Sequence, residues 1–215
     1  MKENVKKILP FLEFLIIISL FILLSYLTQR NIVYLQDLIG TSFQNMIIYV
    51  FIFTASVIIA PINSEPLIPL ASQLWGWQIA GFLTLIGWSI GSLIAFLIAR
   101  HYGVRIVKKF VSLKKVEQFQ KIIPQENIFW SIVFLRLTIQ VDILSYVIGF
   151  LSNISAKKYF IASLIGFAPL AFILAYIGEL PLIYQLVAFT IAILLLILGI
   201  LVGFNKLKKN TNKKL

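Results

Sequence analysis

Three clusters of basic residues punctuate this chain, and the apolar runs between them must be threaded so that all three clusters end on one side of a membrane. Lys2, Lys6 and Lys7 come first. Arg105, Lys108, Lys109, Lys114, Lys115 and Lys121 fill the middle, and Lys206, Lys208, Lys209, Lys213 and Lys214 close the sequence. The chain is 60% hydrophobic, against about 45–50% in soluble domains, and several of its runs are long enough for a hydrocarbon core of ~30 Å. This composition predicts a polytopic membrane protein. Lysine and arginine flanking such runs stay on the cytoplasmic side. The net charge of +11 therefore reads as an orientation signal. Nucleic acid is not expected as a partner, because the charge sits at the ends of apolar segments. With no cysteine, the chain has neither disulfide nor thiolate chemistry.

The runs fall at 8–28, 46–61, 66–77, 79–99, 128–150, 158–178 and 183–204. The first has a basic start but no small-residue cleavage pattern after it, so it is expected to be a retained helix. If 46–61 crossed fully and the next stretch returned as one span, the middle lysines would lie outside. The basic clusters are all placed inside if 46–77 dips in from the outer face and 128–150 from the inner face, each folding back. Four full spans remain, at 8–28, 79–99, 158–178 and 183–204, and the outer loops keep only Arg30, Asp37 and Glu179. Helix rise agrees: residues 128–138 reach roughly 16 Å, about half the core, whereas 46–61 reach roughly 22 Å and overshoot the middle.

The expected fold is thus an all-α polytopic membrane protein built on an inverted repeat of re-entrant hairpin plus transmembrane helix, with N- and C-terminal transmembrane helices flanking it. In domain terms, 1–45 is the first helix and an outer loop, 46–180 the core, and 181–215 the last helix and a basic cytoplasmic tail. Pro61 ends the first incoming leg, and Pro66 and Pro69 suit a helix start. Asn63 or Ser64 can cap the returning helix of the first hairpin, and Asp142 a helix beginning at Ile143 in the second. Small residues on the spanning helices, Gly81, Gly87, Gly91, Gly166, Ala168 and Ala171, allow close packing. In the middle loop, "VRIVKKFVSL" separates Ile106, Val107, Phe110 and Leu113 from Arg105, Lys108 and Lys109, as an interfacial helix does.

The stretch "RLTIQVDILSYVIGFLSNISAKKYFIASLIGFAPLAFILAYIGE" resembles the second half of the VTT-domain membrane proteins, the DedA / SNARE-associated Golgi protein superfamily, nearest to its bacterial branch. The resemblance covers roughly residues 46 to 180 and is best from Asp142 to Gly178. Where the family carries a proline three residues after the arginine, this chain has Ile139. The resemblance implies a re-entrant, inverted-repeat fold and a role in moving lipids between leaflets, such as phospholipids or undecaprenyl phosphate, with proton coupling in some members.

Between Ile128 and Phe150 the only charges are Arg136 and Asp142, and a charge at bilayer depth costs about 2.5–3.5 kcal/mol even on the lenient insertion scale. Arg136 is the strongest phosphate handle, since its planar fork stays charged and holds two oxygens. Its alternative role is to pair with Glu65 or Asp142 and tie the hairpins together. Glu65 and Asp142 occupy the two tips, where a desolvated carboxylate can load and release a proton. Glu65 is the better proton carrier, because Asn63 and Ser64 are available for capping. Thr138, Gln140, Asn63 and Ser64 line a polar cavity or satisfy backbone groups freed at the breaks. Glu13 is expected to reach the interface, Trp75, Trp77 and Trp130 to join the aromatic belt, and His101 to sit at a helix end. The sequon at Asn153 lies on the side assigned to the cytoplasm.

Leaflet-to-leaflet movement of a lipid or lipid-linked phosphate carrier is the leading expectation, with membrane lipids of anionic headgroup, and protons, as partners. A proton-coupled carrier of small anions is the first alternative, and a non-transporting organising or assembly protein the second. No enzymatic activity, metal or cofactor is expected, because the sequence offers no zinc-ligand cluster and no nucleophile–base pair.

Overall fold

The computed structural model describes residues 2–59, 63–103, 127–138 and 141–211, and side-chain surroundings there outside 2–11, 138–143, 196–197 and 199–211. All regular structure among them is helical: α1 (Lys2–Arg30), α2 (Ile32–Ile39), α3 (Phe43–Ile58), a 3-10 turn (Glu65–Leu67) leading into α4 (Ile68–Trp75), α5 (Trp77–Tyr102), α6 (Ile128–Thr138), α7 (Val141–Leu151), α8 (Ala156–Glu179) and α9 (Leu182–Thr211). Leu12–Arg30, Trp77–Tyr102 and Ala156–Glu179 are long and apolar enough to cross a bilayer. The chain is an all-α membrane protein. The expected interfacial helix at 105–113 lies outside the described residues, and Leu180–Leu215 forms a compact unit of its own.

The expected outer loop contains a helix. After α1, the Asn31 side chain donates to the Leu27 carbonyl, and the chain turns into α2, which buries no residue and lies at 97° to α3. Gly40 makes the second turn with φ 65, a left-handed value that a side chain disfavours. Ser42 then precedes α3, so the incoming leg of the hairpin begins at Phe43 rather than at Met46. The two-turn α2 escaped detection because it shares no buried stripe with the rest of the fold.

Side-chain pairings give the direction of each leg. Tyr49 bonds Thr84, Phe53 packs on Gly87 and Val57 on Gly91, so α3 runs parallel to α5 along its first half. The last residue of α3, Ile58, therefore lies just past the middle of α5, where the leg breaks off. Pro66 and Pro69 occupy starting positions of the 3-10 turn and α4, where a missing N–H costs nothing. Gly76, with φ 83, links α4 to α5. In the second half, Val133 and Arg136 of α6 pack on Gly166, near the midpoint of α8, so that leg also ends at mid-depth.

Contacts at the helix ends show that the halves are inverted. The last turn of α5 meets the start of α8, where Arg100 donates to the carbonyls of Ser152 and Ile154, both at 2.6 Å. The last residue of α8 meets the start of α5, where the Trp77 backbone N–H donates to a Glu179 carboxylate oxygen at 3.0 Å. The spanning helices are consequently antiparallel. Each half also lends its returning leg to the other: α4 lies on α8 through Pro69 and Gly178, and α7 lies on α5 through Gly149, Phe96 and Ala99. Where the hairpins meet, the Tyr146 hydroxyl of α7 donates to the Ile58 carbonyl at the end of α3, at 2.7 Å.

The Tyr49–Thr84 bond, 2.7 Å and buried, is the one hydroxyl-to-hydroxyl tie between α3 and α5 among the described residues. Replacing Tyr49 by phenylalanine removes a single neutral hydrogen bond, while Thr84 can turn back to its own helix carbonyl. The expected loss is about 1 kcal/mol, read as a small fall in thermal midpoint of the detergent-solubilised protein. An unchanged midpoint would mean that the bond contributes nothing net.

Candidate functional site

The Arg136 side chain is 2% exposed at the mid-depth end of α6. Its Nη2 donates to Ser145 Oγ on α7 at 3.0 Å, to the Tyr159 hydroxyl on α8, and to Ser163 Oγ on α8 at 3.4 Å. Tyr159 passes the polarity on, donating to the Ser92 carbonyl of α5 at 3.4 Å, and stacks on Phe96 with centroids 4.0 Å apart. The guanidinium carbon lies 4.5 Å from the centre of the Phe167 ring, an attractive placement for a cation. Three helices thus meet at one cation, and α5 joins them through Tyr159. Charge-assisted hydrogen bonds of about 1.5–3 kcal/mol each offset the burial of a group that lipid would otherwise reject.

Local sequence explains why the side chain fits. Gly166 lets α6 come so close that a Cβ there would stand 2.6 Å from Arg136 Cβ and 3.0 Å from the Val133 carbonyl. In the first half the equivalent contact pairs Gly87 with Phe53 Cβ and the Val50 carbonyl. Phe53 therefore occupies the place of Arg136, within van der Waals range of Trp88 and Tyr49 rings instead of hydroxyls. The scaffold is repeated and the cation is not.

The remaining expected site residues are distributed as follows. Glu65 lies in the 3-10 turn, which packs against α1, and its buried Oε2 has no hydrogen-bond partner. It forms no ion pair with Arg136, so that tie between the hairpins is not made; among the described residues, a hydrogen bond from Tyr146 to Ile58 does link them. Ser64 does not cap the returning helix. Its hydroxyl bonds Ser56 Oγ at 2.8 Å and closes the hairpin tip instead, while Asn63 is exposed. Asp142 stands inside the first turn of α7, which begins at Val141, so it is not the residue preceding the helix. Its side chain, like those of Thr138 and Gln140, is outside the described residues.

Three hydroxyls around Arg136 were not singled out in the sequence: Ser145, Tyr159 and Ser163. Their signal was weak. Tyr159 and Ser163 are four apart on one helix face, and serine in an apolar helix usually bonds its own backbone, so nothing in the one-dimensional pattern marked them. A separate cleft of about 500 Å³ opens beside the start of α8, lined by Asn127, Trp130, Asn153, Ser155 and Lys158.

Comparison with known proteins adds one match. No curated protein and no solved structure matches the chain. The profile of the VTT domain matches residues 61–180, more than half of the 215 residues, and takes in the turn that bears Glu65, both spanning helices of the repeat and the whole Arg136 cluster. With two hairpins facing each other in an inverted pair and this match running from the turn of the first to the end of α8, the chain belongs to the VTT-domain family of membrane proteins, the DedA/SNARE-associated group.

Proposed function

We propose that the protein carries a lipid with an anionic headgroup, a phospholipid or a lipid-linked phosphate such as undecaprenyl phosphate, from one leaflet of the cytoplasmic membrane to the other. The observation that carries this reading is the fully buried guanidinium of Arg136 among hydroxyls, at the level where two half-membrane hairpins meet. A phosphate passing between the leaflets needs compensation at that depth, and a planar fork with neighbouring hydroxyl donors supplies it. Broken helices meeting at mid-membrane are the arrangement in which many carriers place their substrate. The chemistry is binding and release, with no covalent step. The basic flanks orient both termini and the Lys158 cleft toward the cytoplasm.

Glu65 is the group we assign to proton coupling, because one of its carboxylate oxygens, Oε2, is buried without a hydrogen-bond partner. The full-length protein in liposomes containing fluorescent phosphatidylglycerol tests both parts. Transfer of this anionic lipid should exceed that of phosphatidylcholine, and an imposed pH gradient should drive it. Glu65→Gln should lower the gradient-driven component about tenfold, the factor equivalent to about 1.4 kcal/mol, and leave gradient-independent exchange in place. Equal rates for both lipids, or for liposomes with and without protein, would refute lipid carriage. A gradient response untouched by Glu65→Gln would remove Glu65 from coupling.

A further inference from the structure

The end contacts that reveal the inverted repeat have a second property, which is that they match. The residue spacing that relates Gly87 to Gly166 also relates Arg100 to Glu179, so the two are equivalent positions on the two spanning helices. Each reaches across to the link that joins the other half's returning leg to its spanning helix. Arg100 donates at 2.6 Å to the carbonyls of Ser152 and Ile154, in the α7–α8 link, and its guanidinium rests 4.4 Å from the Phe96 ring centre. Glu179 accepts at 3.0 Å from the Trp77 N–H, where α4 passes into α5. Gln73 of α4 completes this second contact, its Nε2 donating to the carbonyls of Gly178 and Glu179 at 2.9 and 3.0 Å.

The opposite charges follow from backbone polarity. Arg100 meets two carbonyls of the non-helical α7–α8 link, which need a donor, and Glu179 meets an amide at the beginning of α5, where an anion is favoured. Both side chains are exposed at the helix ends, and each is bound chiefly to backbone. Bonds of this kind are weak enough in contact with water to be broken reversibly. What each holds down is a returning leg: α7, which carries Ser145 against Arg136, and α4, which follows the turn bearing Glu65.

We propose that Arg100 and Glu179 are paired latches, one at each membrane face, and that releasing one frees the returning leg it holds and exposes the place where the hairpins meet to that face alone, while the other stays closed. This rests on the transport reading above, but its test needs no transported substrate. The native chain has no cysteine, so single cysteines can be placed at the buried positions Ser145 on α7 and Ser72 on α4 in the full-length protein in liposomes. Their reaction with a membrane-impermeant maleimide is then followed from each face.

Arg100→Ala should speed labelling of Ser145→Cys at least tenfold from the Arg100 face and leave Ser72→Cys as slow as before. Glu179→Ala should do the reverse from the other face. Arg100→Lys and Glu179→Gln, which keep a donor and an acceptor respectively, should fall close to wild type; Arg100→Met, which keeps the stem and has no donor, replaces the alanine variant if that does not accumulate. The latch proposal is overturned if neither site quickens, or if either variant quickens both sites, since the contacts would then be inert or merely general struts. Face-specific labelling without any lipid transfer keeps the latches and refutes the lipid reading, whereas Arg136-dependent lipid transfer with unaltered labelling does the opposite.

Discussion

Liposomes containing Arg136→Ala protein are expected to show no lipid transfer above background, a fall of about 100-fold or more per folded molecule. The estimate follows from the site itself. Arg136 donates to three hydroxyls, and charge-assisted bonds to a transferred phosphate would be worth about 1.5–3 kcal/mol apiece, so losing two of them costs at least two orders of magnitude. Arg136→Lys separates charge from geometry. An ammonium keeps the positive charge but is a compact point charge without the rigid fork, so transfer should be intermediate. The alanine variant also takes a charged donor away from Ser145, Tyr159 and Ser163, and losing a hydrogen bond to a charged group costs about 1.5–3 kcal/mol of stability. Abundance and thermal midpoint are therefore measured beside transfer. Normal transfer by stably folded Arg136→Ala protein would reduce the arginine to a structural peg.

Gly149→Ala is expected to be the most damaging single methyl in the fold. A Cβ at this position on α7 would run into the backbone carbonyl oxygen of Phe96 on α5 and stand 3.1 Å from Ala99 Cβ. Neither neighbour is the end of a flexible side chain, so relief requires α7 to move off α5. Overpacking ordinarily costs about 1–3 kcal/mol, and here the cost should reach or exceed the upper end, because a backbone contact is displaced. Gly81→Ala is the informative comparison. Its added methyl would meet the Phe172 ring at 2.6 Å, and a ring on the partly exposed face of α8 can swing aside. Thermal unfolding in detergent, followed by tryptophan fluorescence, should show a clearly larger fall for Gly149→Ala. Equal falls would mean that α7 can shift on α5 at little cost.

Proline and charge made the hairpins legible. Pro61, Pro66 and Pro69 mark a break ill-suited to a continuous span, and keeping the basic clusters on one side favours hairpins at 46–77 and 128–150 over straight crossings. Helix length placed the end of the second incoming leg at about half the core, and Arg136 of α6 packs on Gly166 near the middle of α8. The helix α2 was not legible, since eight residues without a buried face leave no periodic signature among apolar neighbours. Ser64 was read as a cap because its position permits one, yet the hydroxyl of Ser56 lay across the hairpin within 2.8 Å and took the bond.

What the sequence determined by itself was the solvent, the number of halves and their opposed orientation, because hydropathy and flanking charge act segment by segment and need no partner. It also singled out Arg136, since a lone cation in an apolar run is costly wherever the chain goes. Only the tertiary structure decided what surrounds that cation. The hydroxyls of Ser145, Tyr159 and Ser163 come from two helices that reach Arg136 because Gly166 and Gly149 permit backbone approach, and packing of that kind depends on which surfaces meet. The same holds for Arg100 and Glu179, two end-of-helix charges whose backbone partners are set only when the inverted halves meet.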